Sequence, residues 1–444
     1  MASSKNYIKN SPTIIKKLYY GLVPFHKRYG EEFNKTYKFI TDTLDWNPDK
    51  LVEYQLSELK RVVKKCYDNV PYYHKLMIDY GVNPNIQTFS DIDKLPILTK
   101  DIVRKNWKDL IDTRYIKDAI RFKTSGSTGQ KFQFLGNDNL YKREAAFVLR
   151  AFNLHNSSMY DKHTVWVRRY SPKPNQPLSY VDYELNRTYV SPFHISEATI
   201  EEYVRIIDKT KAKTLVTYPS LANFIATLMG KRRMVFKHIT SIHCASEMVL
   251  PEWRVNVRNK LGIELYAHYG MMEKVSFFCN TKNSDGKYAE SLEYGYTELV
   301  DNKVIGTGFL NDVMPFLRYD SGDLAVPSED TNMSYGSLPF TVDDFIGRQT
   351  DMITCSDGRK LAGVNFYTMM YKIEGVEMFQ IIQKDVNNIE VRFIPSDKFT
   401  NDTFKQIRDG MTDRVGNESN LGVMSVKKFQ RADSGKFKTI INES

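Results

Sequence analysis

The stretch Thr214-Leu-Val-Thr-Tyr-Pro219 joins a short apolar strand pattern to a proline that begins a helix. The same combination returns at Ser241-Ile-His-Cys-Ala245, which is followed by Pro251. Gly262 ends the second predicted helix, and Glu264 to Tyr269 predicts the next strand. Strands that alternate with helices in this way predict a parallel sheet covered by helices. Ligands of such sheets bind beyond the carboxyl ends of the strands.

The segments before this stretch add helices and one mixed apolar and basic segment. Asn47-Pro48 supplies a helix cap and a proline for the first turn, and apolar residues recur at helical spacing up to Pro71. Residues 12–30 mix bulky apolar side chains with lysines, as an interfacial anchor does. Because Gly21 and Pro24 interrupt this segment, we expect a helix of about two turns that packs against the main body. Peripheral membrane contact is the alternative.

The segments after it change to antiparallel β structure and then to a smaller unit. Tyr296 to Val300 and Lys303 to Ile305 predict a hairpin. Residues 327–344 are rich in Pro, Ser, Asp and Gly, and we expect a domain boundary just beyond them, near Asp351. The predicted fold is α/β, with parallel and mixed sheets flanked by helices plus an antiparallel β region in residues 1–350, and a small α+β domain in residues 351–444.

Composition excludes several classes of protein. Residues 1–150 carry 27 Lys or Arg against 17 Asp or Glu, which accounts for the whole net charge of +10. This charge would attract an anionic substrate or a membrane surface, but no nucleic-acid-binding motif accompanies it. The four cysteines form no Cys-x-x-Cys pair, so neither a zinc ribbon nor a disulfide scaffold is expected. No apolar run could cross a bilayer and the N-terminus lacks a signal-peptide core, so we expect a cytoplasmic protein.

One loop is a candidate phosphate site. Its residues are Thr124, Ser125, Gly126, Ser127, Thr128 and Gly129, followed by Gln130-Lys131. The two glycines let the backbone approach a ligand closely, and the four hydroxyls offer donors to anionic oxygens. The spacing is not that of a P-loop, which needs a hydroxyl directly after a Gly-Lys pair. The alternative is a solvated hairpin tip.

Five further motifs follow this loop in a fixed order. They are Cys244-Ala-Ser-Glu247, Ala267-His-Tyr-Gly-Met-Met-Glu273, Phe316-Leu-Arg-Tyr-Asp-Ser-Gly-Asp323, Phe345-Ile-Gly-Arg-Gln-Thr-Asp-Met-Ile353 with Asp357-Gly-Arg-Lys-Leu361, and Ser434-Gly-Lys-Phe-Lys438. From about residue 60 to its end, the chain resembles the adenylate-forming enzymes. Within them it is most similar to the phenylacetate–coenzyme A ligase group, which includes relatives encoded with capsular polysaccharide genes.

The resemblance implies ATP and Mg²⁺ as cofactors and a role for each motif. The loop Thr124–Gly129 would hold the β and γ phosphates, and Asp351 would be the hinge of a mobile small domain. The implied nucleotide and metal contacts are Ala245, Ser246 and Glu247 along the adenine, Tyr269 and Gly270 against it, Glu273 on Mg²⁺, Asp323 on the ribose hydroxyls, and Arg348 on the ribose or phosphates. Lys436 would be the catalytic lysine, with Lys438 as its competitor.

Two departures from the family pattern leave alternatives open. Lys131 stands where a proline is usual, and Met272 stands where a threonine hydroxyl would contact the α-phosphate. The resemblance implies that a small carboxylic acid is activated as its adenylate and passed to coenzyme A. The second hypothesis delivers the acyl group to an amine or hydroxyl acceptor, such as a sugar nucleotide of a surface polysaccharide. The third is a degenerate nucleotide-binding scaffold, motivated by Met272.

Overall fold

The computed structural model describes residues 8, 11–123, 132–155, 163–173, 175–281, 286–329, 334–348, 352–363, 366, 369–370, 372–427, 429 and 437–443. The predicted phosphate loop, Asp351 and Lys436 lie outside the described residues. The side chain of Arg348 does so too, while its backbone is part of a strand.

The described helices begin and end where capping signals predict. Asn47 caps the long helix, Thr99 caps another through its Oγ1, and Gly262 ends a third in the left-handed conformation. The α-helices are α1 Thr13–Leu22, α2 Phe25–Tyr29, α3 Glu31–Asp42, α4 Pro48–Asn69, α5 Pro71–Asp79, α6 Lys100–Lys105, α7 Asp138–Asn153, α8 Ile200–Lys209, α9 Pro219–Lys231, α10 Pro251–Leu261 and α11 Asn401–Val415. Short 3₁₀ helices cover Thr43–Asp45, Phe89–Ile92 and Thr113–Asp118.

The strands form one large sheet and three small ones. They are β1 Ile120–Lys123, β2 Gln133–Gly136, β3 Thr164–Val167, β4 Ser179–Asp182, β5 Arg187–Val190, β6 Thr214–Thr217, β7 Ser241–Ala245, β8 Glu264–Gly270, β9 Phe277–Asn280, β10 Tyr288–Glu290, β11 Gly295–Val300, β12 Lys303–Gly308, β13 Tyr319–Pro327, β14 Ser334–Tyr335, β15 Leu338–Arg348, β16 Met352–Thr354, β17 Lys360–Ala362, β18 Val376–Asp385, β19 Asn388–Pro395, β20 Asn420–Ser425 and β21 Ile440–Asn442.

The predicted parallel sheet is confirmed. Strands β5, β3, β6, β7 and β8 are neighbours in that order and run parallel. One hydrophobic cluster contains α8 and α9 together with Val165 and Leu215 of the parallel strands, and a second cluster contains α7 together with Val216. The carboxyl ends of these strands therefore meet at one edge, with helices on both sides of it.

The antiparallel region is part of the same sheet. Strands β9, β10, β15, β13, β12 and β11 continue from β8, and β11 and β12 form the predicted hairpin with left-handed Asp301 and Asn302 at its turn. Residues 327–344, whose Pro, Ser, Asp and Gly content led us to expect a domain boundary just beyond them, supply most of the 11-residue strand β15. Strands β1 and β2 pair antiparallel on either side of the predicted phosphate loop.

The N-terminal segment differs from its prediction. Helix α1 spans 10 residues and continues through Gly21, so the expectation of two turns was too short. Tyr20 is the buried residue of this helix, and the Arg28 guanidinium donates to the carbonyl of Tyr183. The opposite face exposes Ile14, Leu18 and Leu22. Across the described residues, no helix combines the length and apolarity that crossing a bilayer requires.

The C-terminal residues form a separate small sheet with its own helix. Strands β20, β19, β18 and β21 are neighbours in that order, and α11 packs on them. The sheet and α11 have the α+β content that is predicted for residues 351–444, and β21 is an additional strand that no local pattern indicates. Leu250 and Trp253 of the large unit join this hydrophobic cluster. The cluster therefore ties the start of α10 to the C-terminal sheet.

Candidate active site at the carboxyl edge of the sheet

The residues that follow β7 connect the large unit to the C-terminal segment. Ala245 is buried, and Ser246 is exposed with a φ of 76°. The Glu247 carboxylate accepts the backbone N–H of Ser220 at 3.2 Å through Oε2 and that of Phe437 at 2.7 Å through Oε1. Ser220 lies in the first turn of α9, where a negative charge is favourable. Glu247 therefore joins a helix terminus to the residue directly after Lys436.

Tyr269, at the end of β8, holds Asp323. Its hydroxyl donates to Oδ2 of Asp323 at 2.8 Å, and its ring stacks on Phe345 with centroids 3.8 Å apart. Burial, and then the Asp323 charge, raises the pKa of Tyr269 well above its usual value. The phenol therefore remains a neutral donor at physiological pH. Because Phe345 covers one face of the ring, a base could stack only on the other.

A second tyrosine holds Glu273 in the same way. The Tyr319 hydroxyl donates to Oε1 of Glu273 at 2.8 Å, and both residues are buried. Burial, and then the Glu273 charge, raises the pKa of Tyr319 well above its usual value. Tyr269 and Glu273 are four residues apart, as are Tyr319 and Asp323. Each segment thus donates a phenol to the carboxylate of the other, and we call these four residues the reciprocal pair.

The turn before Asp323 is stabilised by the side chains of two neighbouring residues, Asp320 and Ser321. Asp320 Oδ1 accepts the backbone N–H of Gly322 at 2.7 Å, and Gly322 has a φ of 79°. The Ser321 hydroxyl accepts the backbone N–H of Asp323 at 3.0 Å. Asp320 and Ser321 therefore stabilise the turn, and the Asp323 carboxylate accepts the hydrogen bond from Tyr269. Across the strands, Asp323 is in register with Arg348.

The described residues contain no group of three His, Cys, Asp or Glu side chains that could hold a metal ion. Glu273 alone fits the predicted Mg²⁺ site, as a buried carboxylate oriented by one phenol. Mg²⁺ is commonly bound by one or two carboxylates, with water and substrate phosphates completing its octahedron. A single protein carboxylate therefore suits Mg²⁺ that arrives with a nucleotide better than a resident metal.

Met272 lies partly buried against the large hydrophobic cluster. Lys274, two residues on, has a φ of 59° and pairs with Glu144 at 2.5 Å. A thioether at position 272 cannot donate a hydrogen bond. Met272 therefore cannot donate the hydrogen bond to the α-phosphate that the family pattern expects from a hydroxyl at this position.

Sequence analysis missed Arg168, which follows β3. Its Nη2 donates to Oγ of Ser246 at 3.1 Å, and its guanidinium carbon lies 4.7 Å from the ring centre of Tyr218. These three residues come directly after β3, β7 and β6, at the predicted ligand-binding edge. A charged residue immediately after a buried parallel strand was the available signal, in Val167-Arg168-Arg169.

Comparisons with known proteins agree with this architecture. A family model described as the CapK C-terminal domain matches residues 353–443. Protein CapK of Staphylococcus aureus is 25% identical over 98% of this chain and 99% of its own length. Phenylacetate-coenzyme A ligase of Thermus thermophilus is 22% identical over 72% of this chain and 74% of its own.

Solved structures share the fold. A 2-hydroxyisobutyryl-CoA ligase in its postadenylation state matches with a TM-score of 0.67 and 15% identity, over 88% of this chain and 89% of that one. The anthranilate CoA ligase AuaEII, in complex with anthranoyl-AMP, matches with a TM-score of 0.50 and 14% identity, over 71% of this chain and 65% of that one. The predicted fold is confirmed by these matches.

Proposed function

We propose that the chain, which is similar in sequence to Protein CapK and to phenylacetate-coenzyme A ligases and shares the fold of acyl-CoA ligases, is an adenylate-forming ligase that activates a small carboxylic acid with ATP and transfers the acyl group to coenzyme A. The observation that carries the proposal is the reciprocal pair: Tyr269 with Asp323, and Tyr319 with Glu273. It fixes two carboxylates at the edge of the sheet where ligands of parallel sheets bind. The two have separate tasks in the proposed reaction.

The chemistry assigns those tasks. A carboxylate that attacks the α-phosphorus brings two anions together, so the site must supply positive charge that acts most strongly in the transition state. Glu273 would ligate Mg²⁺, which supplies part of that charge. Asp323 would hold the ribose hydroxyls by charge-assisted hydrogen bonds. The loop Thr124–Gly129, Gly270 and Arg348 remain proposed contacts of the nucleotide, as do Ala245 and Ser246.

Lys436 is the proposed source of the remaining charge. Its neighbour Phe437 donates a backbone hydrogen bond to Glu247, beside the predicted adenine contact Ser246. The proposed hinge at Asp351 would let the C-terminal domain withdraw after adenylation and admit the acceptor. That movement would break the contact between Glu247 and Phe437.

The second candidate changes only the acceptor. A surface groove of about 510 Å³ is lined by Lys27, Gly30, Glu31, Asn34, Lys35 and Lys38. Its three lysines would favour an anionic sugar nucleotide, so that an amide or ester forms on a polysaccharide precursor. Peripheral contact of helix α1 with a membrane would fit the same acceptor. ATP and coenzyme A would fit the cytoplasm, the localisation that the sequence predicts.

The deciding experiment is ATP–pyrophosphate exchange with a panel of aryl and short aliphatic acids. We expect exchange with at least one acid, and then consumption of coenzyme A with that acid present. ATP–pyrophosphate exchange without consumption of coenzyme A, but with acylation of an amine or sugar nucleotide, would favour the second acceptor. Tight ATP binding without exchange for any acid would overturn the ligase proposal in favour of a scaffold.

Glu273→Gln should raise the Mg²⁺ concentration needed for half-maximal exchange by roughly tenfold or more, because a neutral amide is a weaker ligand than a carboxylate. Glu290→Gln is the matched control: Glu290 is also buried and accepts from a hydroxyl, that of Thr341, but it lies in β10. A Mg²⁺ titration of both variants compares them. Equal Mg²⁺ dependence in wild type and Glu273→Gln would remove Glu273 from the metal site.

A further inference from the structure

Within the part of the chain that the structure describes, Arg168 is a buried cation without an anionic partner. It is 6% exposed, and no ion pair joins it to a carboxylate within the described part of the chain. Its Nε has no hydrogen-bond partner there either. Burial lowers the pKa of its guanidinium. An uncompensated buried charge is costly in free energy, which favours the binding of an anion beside it.

The surroundings of Arg168 compensate its charge only in part. The guanidinium carbon lies 4.7 Å from the ring centre of Tyr218 and 5.9 Å from that of Trp166, within the range of cation–π attraction. Glu247, on the segment that Arg168 contacts, accepts hydrogen bonds from Ser220 and Phe437. The Ser246 hydroxyl accepts a hydrogen bond from Arg168, and the Tyr218 phenol is a second hydrogen-bond partner; both groups are neutral.

The other polar groups on this side are neutral or paired. Burial lowers the pKa of His243 well below its usual value and that of His268 to about 3, and for His268 the Arg168 charge adds to this effect. Lys274 is paired with Glu144. Among the described residues that directly follow β3, β6 and β7, Arg168 is therefore the buried cation.

Arg168 can reach a ligand because Ser246 is exposed. The guanidinium is buried, yet its Nη2 contacts the hydroxyl of this surface residue. Ser246 also has a φ of 76°, a conformation that costs free energy in a serine and is typical of ligand sites. The buried guanidinium therefore lies within hydrogen-bond distance of an exposed residue at the carboxyl end of β7.

We propose that Arg168 binds an anionic group of the acyl substrate, so that the acid carries a second carboxylate or a phosphate besides the carboxyl group that is activated. This inference rests on the proposed function. In the sheet, Arg168 approaches β8 from the side of β7, β6 and β3, whereas Asp323 belongs to a strand on the other side of β8. The proposed ribose contact Asp323 and Arg168 thus lie on opposite sides of β8, which favours the acyl end of the ligand over the ribose end. Because Arg168 also contacts Ser246, a proposed adenine contact, the affinity for ATP must be measured alongside the affinity for the acid.

The test compares Arg168→Met with Arg169→Met, its exposed neighbour. The probes are matched acids that differ by one anionic group: 4-carboxyphenylacetate with phenylacetate, succinate with butyrate, and 3-phosphopropionate with propionate. The first readout is the shift in melting temperature that each acid causes without ATP, which requires no catalysis. The second is kcat/KM in ATP–pyrophosphate exchange. The third is the Kd for ATP alone.

We expect at least one dianionic acid to stabilise the wild type more than its monoanionic match, and to be preferred in exchange by roughly 10- to 100-fold. Arg168→Met should lose both differences, Arg168→Lys should keep part of them, and Arg169→Met should keep them in full. The Kd for ATP should stay within a few-fold in Arg168→Met. Equal melting-temperature shifts for the two members of every pair would overturn the inference.

Two outcomes separate this inference from the proposed function. A selective thermal shift with a dianionic acid, lost in Arg168→Met, supports the anion site even if no acid supports exchange; the ligase proposal alone then fails. A large loss of ATP affinity in Arg168→Met, with no change in acid preference, would assign Arg168 to the nucleotide phosphates and overturn the inference while leaving the ligase proposal intact. The melting temperature without ligand should not fall in Arg168→Met, since the variant removes an unpaired buried charge.

Discussion

Lys436→Ala should reduce ATP–pyrophosphate exchange by roughly 10²- to 10³-fold, the usual cost of removing one group that stabilises transition-state charge. Lys438→Ala should leave exchange within a few-fold of the wild type. The backbone carbonyl of Lys438 accepts a hydrogen bond from the Gln380 side chain at 2.8 Å, so an alanine at 438 keeps this contact with the C-terminal sheet. The two lysines are only two positions apart, so the comparison tests directly which of them acts in adenylation.

The second half-reaction supplies an internal control for the Lys436 variant. If Lys436 acts only in adenylation, the variant should still convert a synthetic acyl-adenylate and coenzyme A into the thioester at a rate near that of the wild type. Equal losses of exchange in Lys436→Ala and Lys438→Ala would undo the assignment. A loss of both half-reactions in Lys436→Ala would instead point to a folding defect or to a role in docking the C-terminal segment.

Local signals predicted the backbone of this protein well. Prolines and Gly262 fixed helix ends because they restrict φ and ψ in the residue itself, which needs no tertiary context. Gly21 misled the analysis of α1, since one glycine costs only about 1 kcal/mol in a helix and does not end it. Strand β21 is only three residues long and pairs with β18, some 60 residues earlier, so no local pattern could reveal it.

The sequence predicted individual residues of the candidate site but not the hydrogen bonds between them. The family pattern identified Tyr269, Glu273 and Asp323 singly, whereas the exchange of phenols between the two segments depends on a fold that brings residues about 50 positions apart together. Tyr319 therefore had no assigned role before the structure. Arg168 was not predicted for a similar reason. An arginine is ordinarily a surface residue, and what distinguishes this one is its burial without a carboxylate partner among the described residues.

Asp323→Ala should raise the Kd for ATP by roughly 10- to 150-fold, the equivalent of about 1.5–3 kcal/mol for a charge-assisted hydrogen bond. Tyr269→Phe should have a smaller effect in the same direction, because it leaves the carboxylate in place but removes the phenol that orients it at 2.8 Å. Asp320→Asn is the matched control. It lies on the same strand, and an asparagine oxygen can still accept the Gly322 N–H that Asp320 holds. Calorimetry with the acid absent measures the three variants.

Deoxynucleotides show whether Asp323 acts on the ribose. In the wild type, 2′-deoxy-ATP or 3′-deoxy-ATP should bind more weakly than ATP, because a hydroxyl that Asp323 accepts is missing. In Asp323→Ala that difference in affinity should vanish. Removing the carboxylate and removing the ribose hydroxyl then form a thermodynamic cycle, and the non-additivity of the two changes measures the contact between these groups. A variant that binds ATP weakly but still discriminates against both deoxynucleotides as the wild type does would contradict the ribose assignment. In that case the contribution of Asp323 would be to orient Tyr269, and the reciprocal pair would be a device that shapes the edge of the sheet instead of one that touches the nucleotide.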